Sequence, residues 1–208
     1  SAPDMFVQIR RMMSQSRPAR QCVWAYWDAL DTIQHQYGVW QDEGEAELRA
    51  FAMALDHELL SPLRKLKEKV TVIFTADHGQ VQVNASDVFE LKSVPETDQA
   101  LSVPPSGTGR AGYLNTRDNG WIGRLQKKLG KKGWVIPSRE VEAAGLWGEG
   151  RRRSEFRGRV GDAVLVMNDR RVSFYPYYEG AKPEHLIGGR HGGLHEEEML
   201  TPFIIARF

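Results

Sequence analysis

Three short stretches of this chain carry residues able to bind metal ions, each at the edge of a predicted element. The first is Val70 to Gly79, where an apolar run leads straight into Asp77-His78-Gly79. Ligands of open α/β sheets collect beyond the carboxyl ends of the strands. A carboxylate and an imidazole delivered there by a rigid strand, with a glycine behind them for tight backbone passage, make a natural corner for a divalent cation. A structural reading of the same residues has Asp77 capping the next turn and His78 merely packed. The dipeptide alone does not choose between them.

The second stretch holds Asp31 and His35, whose four-residue spacing puts both side chains on one face of a helical turn, where they can share one ion. An ordinary surface pair on a helix has the same spacing. Asp28 competes as a carboxylate, but its seven-residue separation from His35 requires a more particular loop. The third stretch is His191-Gly192-Gly193, preceded by Gly188-Gly189; paired glycines let backbone approach a crowded centre. His191 and His195 match the histidine spacing of a helix-borne zinc pair, but glycine stands where the metalloprotease motif needs glutamate. Glu196 to Glu198 fit the first turn of a helix, where negative charge suits the dipole. Taken together, Asp31, His35, Asp77, His78 and His191 are hard or borderline ligands near predicted strand ends. Arg110, just after a glycine-containing turn, is a further candidate as a phosphate clamp. Tyr175, Tyr177 and Tyr178 could stack on a nucleobase, although alternating aromatics in a strand also fit a core.

The elements that must position these residues alternate between strand and helix. Met5 to Ser16 has a helical pattern ended by the breaker Pro18, and Gln21 to Trp27 reads as a buried strand that also holds Cys22. A long helix is expected from about Glu43 to Lys69, bent or interrupted at Pro62. Val70 to Ala76 suits a central strand of a parallel sheet covered on both faces. Strand, helix, strand in this order implies an α/β architecture. Between Asn84 and Gly109 the text is loop-like; a strand follows at Ala111 to Asn115, with helices at Trp121 to Leu129 and Glu140 to Leu146. Asp162 to Met167 and Val172 to Tyr178 read as a hairpin about Asn168-Asp169-Arg170, and Leu200 to Phe208 as a final strand.

With 208 residues, 41% hydrophobic and 26% charged, the chain can bury a core and falls in the size range of one domain. A formal charge of +1 gives no overall field for a nucleic-acid polymer or an anionic membrane, so phosphate recognition must be local. Lys127, Lys128, Lys131 and Lys132 are expected on a solvated face. The single cysteine excludes an intrachain disulfide and a cysteine-only zinc cage. No apolar run is long enough to span a bilayer, and no signal peptide is visible.

Trp27 to Gly38 (WDALDTIQHQYG), Thr75 to Gly79 (TADHG) and Arg190 to Phe203 (RHGGLHEEEMLTPF) resemble, in that order, three metal-binding blocks of the type I phosphodiesterase/nucleotide pyrophosphatase family of the alkaline phosphatase superfamily. The resemblance extends through Gly109 to Asn115 and Arg159 to Met167. It implies an α/β, alkaline-phosphatase-like domain with a mostly parallel central sheet flanked by helices, its N-terminal part absent, residues 85–160 forming an insertion or cap. It further implies two divalent ions, zinc or else manganese: one held by Asp31, His35 and His191, the second by Asp77 and His78. In that family an N-terminal aspartate completes the second site and a threonine or serine attacks phosphorus; neither block is in this sequence. The expected substrate is a small phosphoester such as a nucleotide, and the expected partner is a second copy or the missing half. On this reading the chain alone is inactive. Other branches of the superfamily (phosphonate hydrolase, sulfatase, phosphomutase) and an inactive binding module with the same fold remain as alternatives.

Overall fold

The structure, a computed structural model, describes residues 1–15, 20–65 and 69–208. The expected breaker Pro18, the helix end at Ser16 and residues 66–68 of the long helical pattern lie outside the described residues. By contact density the chain divides into two compact units, Ser1–Asp77 with Thr201–Phe208, and His78–Leu200.

In the first unit, α1 (Ala2–Met13) opens with Pro3 and Asp4 in its first turn and closes with Arg10 and Arg11 in its last, an arrangement that suits the helix dipole. It is followed by α2 (Ala29–Tyr37) and α3 (Asp42–Leu55). After α3 the helix widens into a π turn at Asp56–Leu60 before α4 (Ser61–Leu63). Pro62 supplies the cause: it has no N–H to donate, and its ring crowds the carbonyl four residues back, so the expected interruption takes the form of a locally wider turn. Phe51 of α3 is the hub of this unit's core. Trp27 stacks on it at 3.9 Å between centroids, and Phe6 of α1 meets it edge-on at 5.2 Å.

The strands β1 (Thr71–Thr75) and β10 (Phe203–Arg207) pair antiparallel, with Ile73 opposite Ile205. This corrects the expectation of a parallel, doubly covered strand at Val70 to Ala76. An apolar run reports contact with apolar neighbours but not the direction of its partner. Here Val72 and Phe74 pack on the core, while Ile73, Phe203, Ile204 and Ile205 are exposed. Gln21 to Trp27 is a second correction: no strand is assigned there, Trp24 and Tyr26 are exposed, and so is Cys22. Aromatic and β-branched residues fit a pleated, half-buried surface, but among the described residues no strand pairs with this segment, and Trp27 instead packs in the core with Phe51, Val72 and Phe74.

The second unit contains β2 (Val81–Val83), β3 (Val88–Glu90), α5 (Thr97–Ala100), β4 (Ser106–Gly107), β5 (Ala111–Leu114), α6 (Asn119–Leu129), β6 (Gly133–Pro137), α7 (Ser138–Ala143), α8 (Phe156–Val160), β7 (Ala163–Met167), β8 (Val172–Phe174), β9 (Gly188–Arg190) and α9 (Glu196–Met199). A four-stranded antiparallel sheet runs β4-β5-β7-β6, and every residue of its inner strand β7 is buried. Trp121, Leu125 and Leu129, four residues apart on α6, pack against Leu114, Val135 and Leu165 of that sheet. The Asp118 side chain caps α6 by accepting from the Gly120 N–H, and Gly130 ends it at φ 55°. Lys127, Lys128, Lys131 and Lys132 face solvent as expected.

The expected hairpin between β7 and β8 is absent. The turn itself closes, with Arg171 N–H donating to the Asn168 carbonyl at 3.1 Å. Both edges of β7 are already taken by β5 and β6, so β8 leaves to pair with β3, the one parallel ladder among the described strands. The fold is thus mixed α/β.

Candidate metal centre

In the first unit, α2 carries Asp31 and His35 on one face, and His35 Nε2 lies 3.4 Å from an Asp31 carboxylate oxygen. Two ligand atoms on a tetrahedral zinc ion with bonds of about 2.0–2.1 Å stand roughly 3.3 Å apart. The pair is therefore spaced like one edge of such a tetrahedron, and its nitrogen and oxygen donors suit zinc or manganese. Both side chains are half-buried, so solvent can still reach the pair.

Asp77 ends the same unit immediately after β1. Its carboxylate accepts from the exposed phenol of Tyr26, and its negative charge, followed by desolvation and the charges of Asp31 and Asp28, raises the Tyr26 pKa above the ordinary tyrosine value. Three carboxylates acting on one solvent-facing phenol mark a local concentration of negative potential, the condition a divalent cation relieves. Replacing Asp77 with Asn is expected to bring the Tyr26 pKa back down, because less negative charge then opposes the phenolate. A pH titration of ring-labelled tyrosine by NMR reads this directly, and an unmoved Tyr26 would remove Asp77 as the main cause.

In the second unit, β2 and β9 pair antiparallel with Val81 opposite Arg190. His78 shortly precedes the one strand and His191 directly follows the other, so the ladder delivers both imidazoles to its same end. Their rings stack with centroids 3.6 Å apart and 10° between planes. His78 Nδ1 is 3.1 Å from its neighbour's carbonyl at Gly79. Imidazole lone pairs lie in the ring plane. Two nearly parallel rings therefore direct them along two separate planes, toward two points a few ångströms apart.

Gly79 is required where it stands, since a Cβ there would lie 2.1 Å from the Glu197 carbonyl oxygen. Its N–H donates to the Glu198 carbonyl at 2.8 Å. Arg110 takes a different part from the expected phosphate clamp. Its side chain is 1% exposed, Nε and Nη2 donate to the Glu198 carboxylate at 2.9 and 2.6 Å, and Nη1 donates to the Arg171 carbonyl. A guanidinium so enclosed is part of the scaffold. Of the three tyrosines, Tyr175 packs on the core and donates to Asp98, while Tyr177 and Tyr178 are exposed.

Tyr26 and Glu198 are the residues that sequence reasoning missed. Tyr26 was hidden inside the expected strand. Glu198 had a detectable signal: it is the third residue after the helix N-cap His195, and it closes a capping box with that residue. The usual pattern has serine or threonine at the cap, and histidine in its place disguises it.

The profile of the type I phosphodiesterase / nucleotide pyrophosphatase family matches residues 7–194. Among curated proteins none matches the chain. Among solved structures, an inactive variant of murine ectonucleotide pyrophosphatase / phosphodiesterase 5 in complex with AMP superposes with a TM-score of 0.74 at 16% identity, over 99% of this chain and 52% of that one. The human counterpart gives 0.72 at 15% identity, over 99% and 52%. Phosphonoacetate hydrolase from Sinorhizobium meliloti 1021 in complex with phosphonoformate gives 0.55 at 23% identity, over 84% and 43%. At these identities the superpositions establish the fold, and the chain spans about half the length of the solved structures it matches. With the profile running from α1 to just past His191, the chain belongs to the type I phosphodiesterase/nucleotide pyrophosphatase family.

Proposed function

We propose that this chain supplies most of a two-ion centre that hydrolyses phosphodiester or pyrophosphate bonds of nucleotide-type substrates. Asp31, His35 and His191 hold one ion, and Asp77 and His78 hold the other. The single observation that carries this reading is the near-parallel stack of His78 and His191, which suits two adjacent ions better than one. Bound there, zinc or manganese would neutralise the phosphoryl oxygens, acidify the attacking hydroxyl and stabilise the leaving oxygen. The protein's share is to aim both imidazoles, and to offset cationic charge with Asp31 and Asp77 so that an anionic phosphoester can still approach. The AMP bound to the murine structure supports a nucleotide as substrate class.

The attacking threonine or serine, and the aspartate that completes the second ion's shell, come from polypeptide equivalent to the part of the solved structures that this chain does not span. The same polypeptide, or a second copy, would cover the exposed apolar side chains of Ile73, Phe203, Ile204 and Ile205. Three protein ligands with water suffice for zinc and two do not. The purified 208-residue chain should therefore retain one zinc tightly and a second weakly in equilibrium dialysis, and should not hydrolyse a chromogenic phosphodiester above the zinc-only background. Near-zero zinc would end the proposal. Turnover by the chain alone would place the nucleophile within it.

A further inference from the structure

Within His78–Leu200, one residue touches both turns that carry the stacked histidines, through its backbone on one side and its side chain on the other. The Glu198 carbonyl accepts from Gly79, next to His78, at 2.8 Å. Its carboxylate accepts from the backbone N–H groups of Gly193 at 2.9 Å and His195 at 3.1 Å, in the turn that follows His191. The same carboxylate is clamped by Arg110 through two guanidinium donors. Both partners of that pair are 1% exposed. Neither glycine tolerates a side chain: a Cβ on Gly79 would press on the Glu197 carbonyl at 2.1 Å, and one on Gly193 on the Glu198 carboxylate at 2.8 Å. Burial alone would raise the Glu198 pKa, but the Arg110 hydrogen bond and the Gly193 and His195 donors outweigh it, holding the carboxyl below the usual glutamate range and so ionised.

We propose that Glu198 is a positioning residue that sets the spacing of the His78 and His191 imidazoles, with Arg110 fixing Glu198 from behind. The inference rests on the two-ion reading for its consequence but not for its geometry. A short helix such as α9 does not need a buried, doubly clamped carboxylate to start; an exposed cap would do. What this arrangement adds is a rigid link from one histidine turn, through the Glu198 backbone, to its carboxylate and on to the other turn. Groups that orient metal ligands through hydrogen bonds typically change metal affinity by about 10–100-fold when removed. The spacing of the rings, and with it the spacing of any ions they bind, follows from where Glu198 sits.

The test uses the 208-residue chain and three variants. Glu198→Gln keeps the volume and one acceptor oxygen. Glu198→Ala removes the carboxylate altogether. Gly79→Ala removes no group of the Arg110–Glu198 pair and disturbs the tie to the other turn. Two readouts are taken well below the unfolding temperature of each variant. In metal-free protein, NMR shifts of the His78 and His191 ring protons report the stack through ring currents. In cobalt(II) titrations, visible absorption reports affinity. The expected result is loss of the mutual ring shifts in Glu198→Ala and Gly79→Ala, with cobalt affinity about 10-fold or more weaker and a smaller change in Glu198→Gln. Folded variants with unchanged ring shifts would overturn the proposal, whatever happens to their melting temperature. If wild type shows the stack yet binds no cobalt, the two-ion reading fails while the ring shifts still decide the role of Glu198. Should Glu198→Ala not fold, Gly79→Ala and Glu198→Gln carry the same decision.

Discussion

Replacing Arg110 with Met is expected to destabilise the His78–Leu200 unit by about 3–5 kcal/mol, the cost of leaving a buried carboxylate without its cation. Removing the guanidinium strips Glu198 of both charge-assisted hydrogen bonds and leaves the Arg171 carbonyl without its Arg110 donor. The exposed pairs of Arg124 with Glu96 and Asp118 give the contrast. Surface ion pairs contribute about 0–1 kcal/mol, so Arg124→Met should be close to neutral. The pH dependence has a definite sign. Glu198 is held below the ordinary glutamate range in the folded chain, so the folded state binds its proton less readily than the unfolded state. Its contribution is complete above the unfolded-state value and disappears as pH falls through the folded one. Denaturant melts of wild type and Arg110→Met should lie far apart at neutral pH and converge in acid. A difference under about 1 kcal/mol at neutral pH would mean that the pair is solvated in solution and that its burial does not govern stability.

Legibility in the sequence followed the range of the forces involved. α6 was readable because its signals are local: an Asp cap, apolar residues four apart, and Gly130 at the end. β7 was readable because a strand with both edges paired and both faces covered is apolar throughout. The hairpin failed because turn chemistry at Asn168 to Arg171 says that the chain reverses, not that the next strand finds a vacant edge. Gln21 to Trp27 failed for a related reason: composition expresses suitability for a sheet, and the sheet neighbour is a separate fact. At the site, Asp31 with His35 was visible as helical spacing and came out 3.4 Å apart. The approach of His78 to His191 was visible only through motif order, since 113 residues separate them and the β2–β9 ladder that joins them is three residues long. Arg110 and Glu198 were the hardest to read. Each was singled out or set aside from its own neighbourhood, Arg110 as a phosphate clamp and Glu198 as one of three acids starting a helix. Their significance lies in being each other's partner across 88 residues, a relation that spacing along a chain does not express.

The largest expected effect belongs to the end of β1. Asp77→Ala or His78→Ala, made in the chain combined with polypeptide matching the uncovered half of its relatives, should lower turnover of a nucleotide phosphodiester by about 10³-fold or more. Either change removes one of the two donors proposed for the second ion. Electrostatic stabilisation by one such ion amounts to several kcal/mol, and about 4 kcal/mol corresponds to a thousandfold in rate. Asp77→Ala also discharges the carboxylate that most raises the Tyr26 pKa, so the phenol reports whether the substitution has altered the local field as intended. Metal analysis on the same samples should fall from two ions to one. This pairing of readouts separates the enzyme from a binding module of the same fold. A module has no turnover to lose and no need of the second ion, so its nucleotide affinity would barely change when either residue is truncated. Full activity with two ions still bound in His78→Ala would contradict the assignment of that imidazole outright. It would leave the stack with His191 as a packing contact between neighbouring turns.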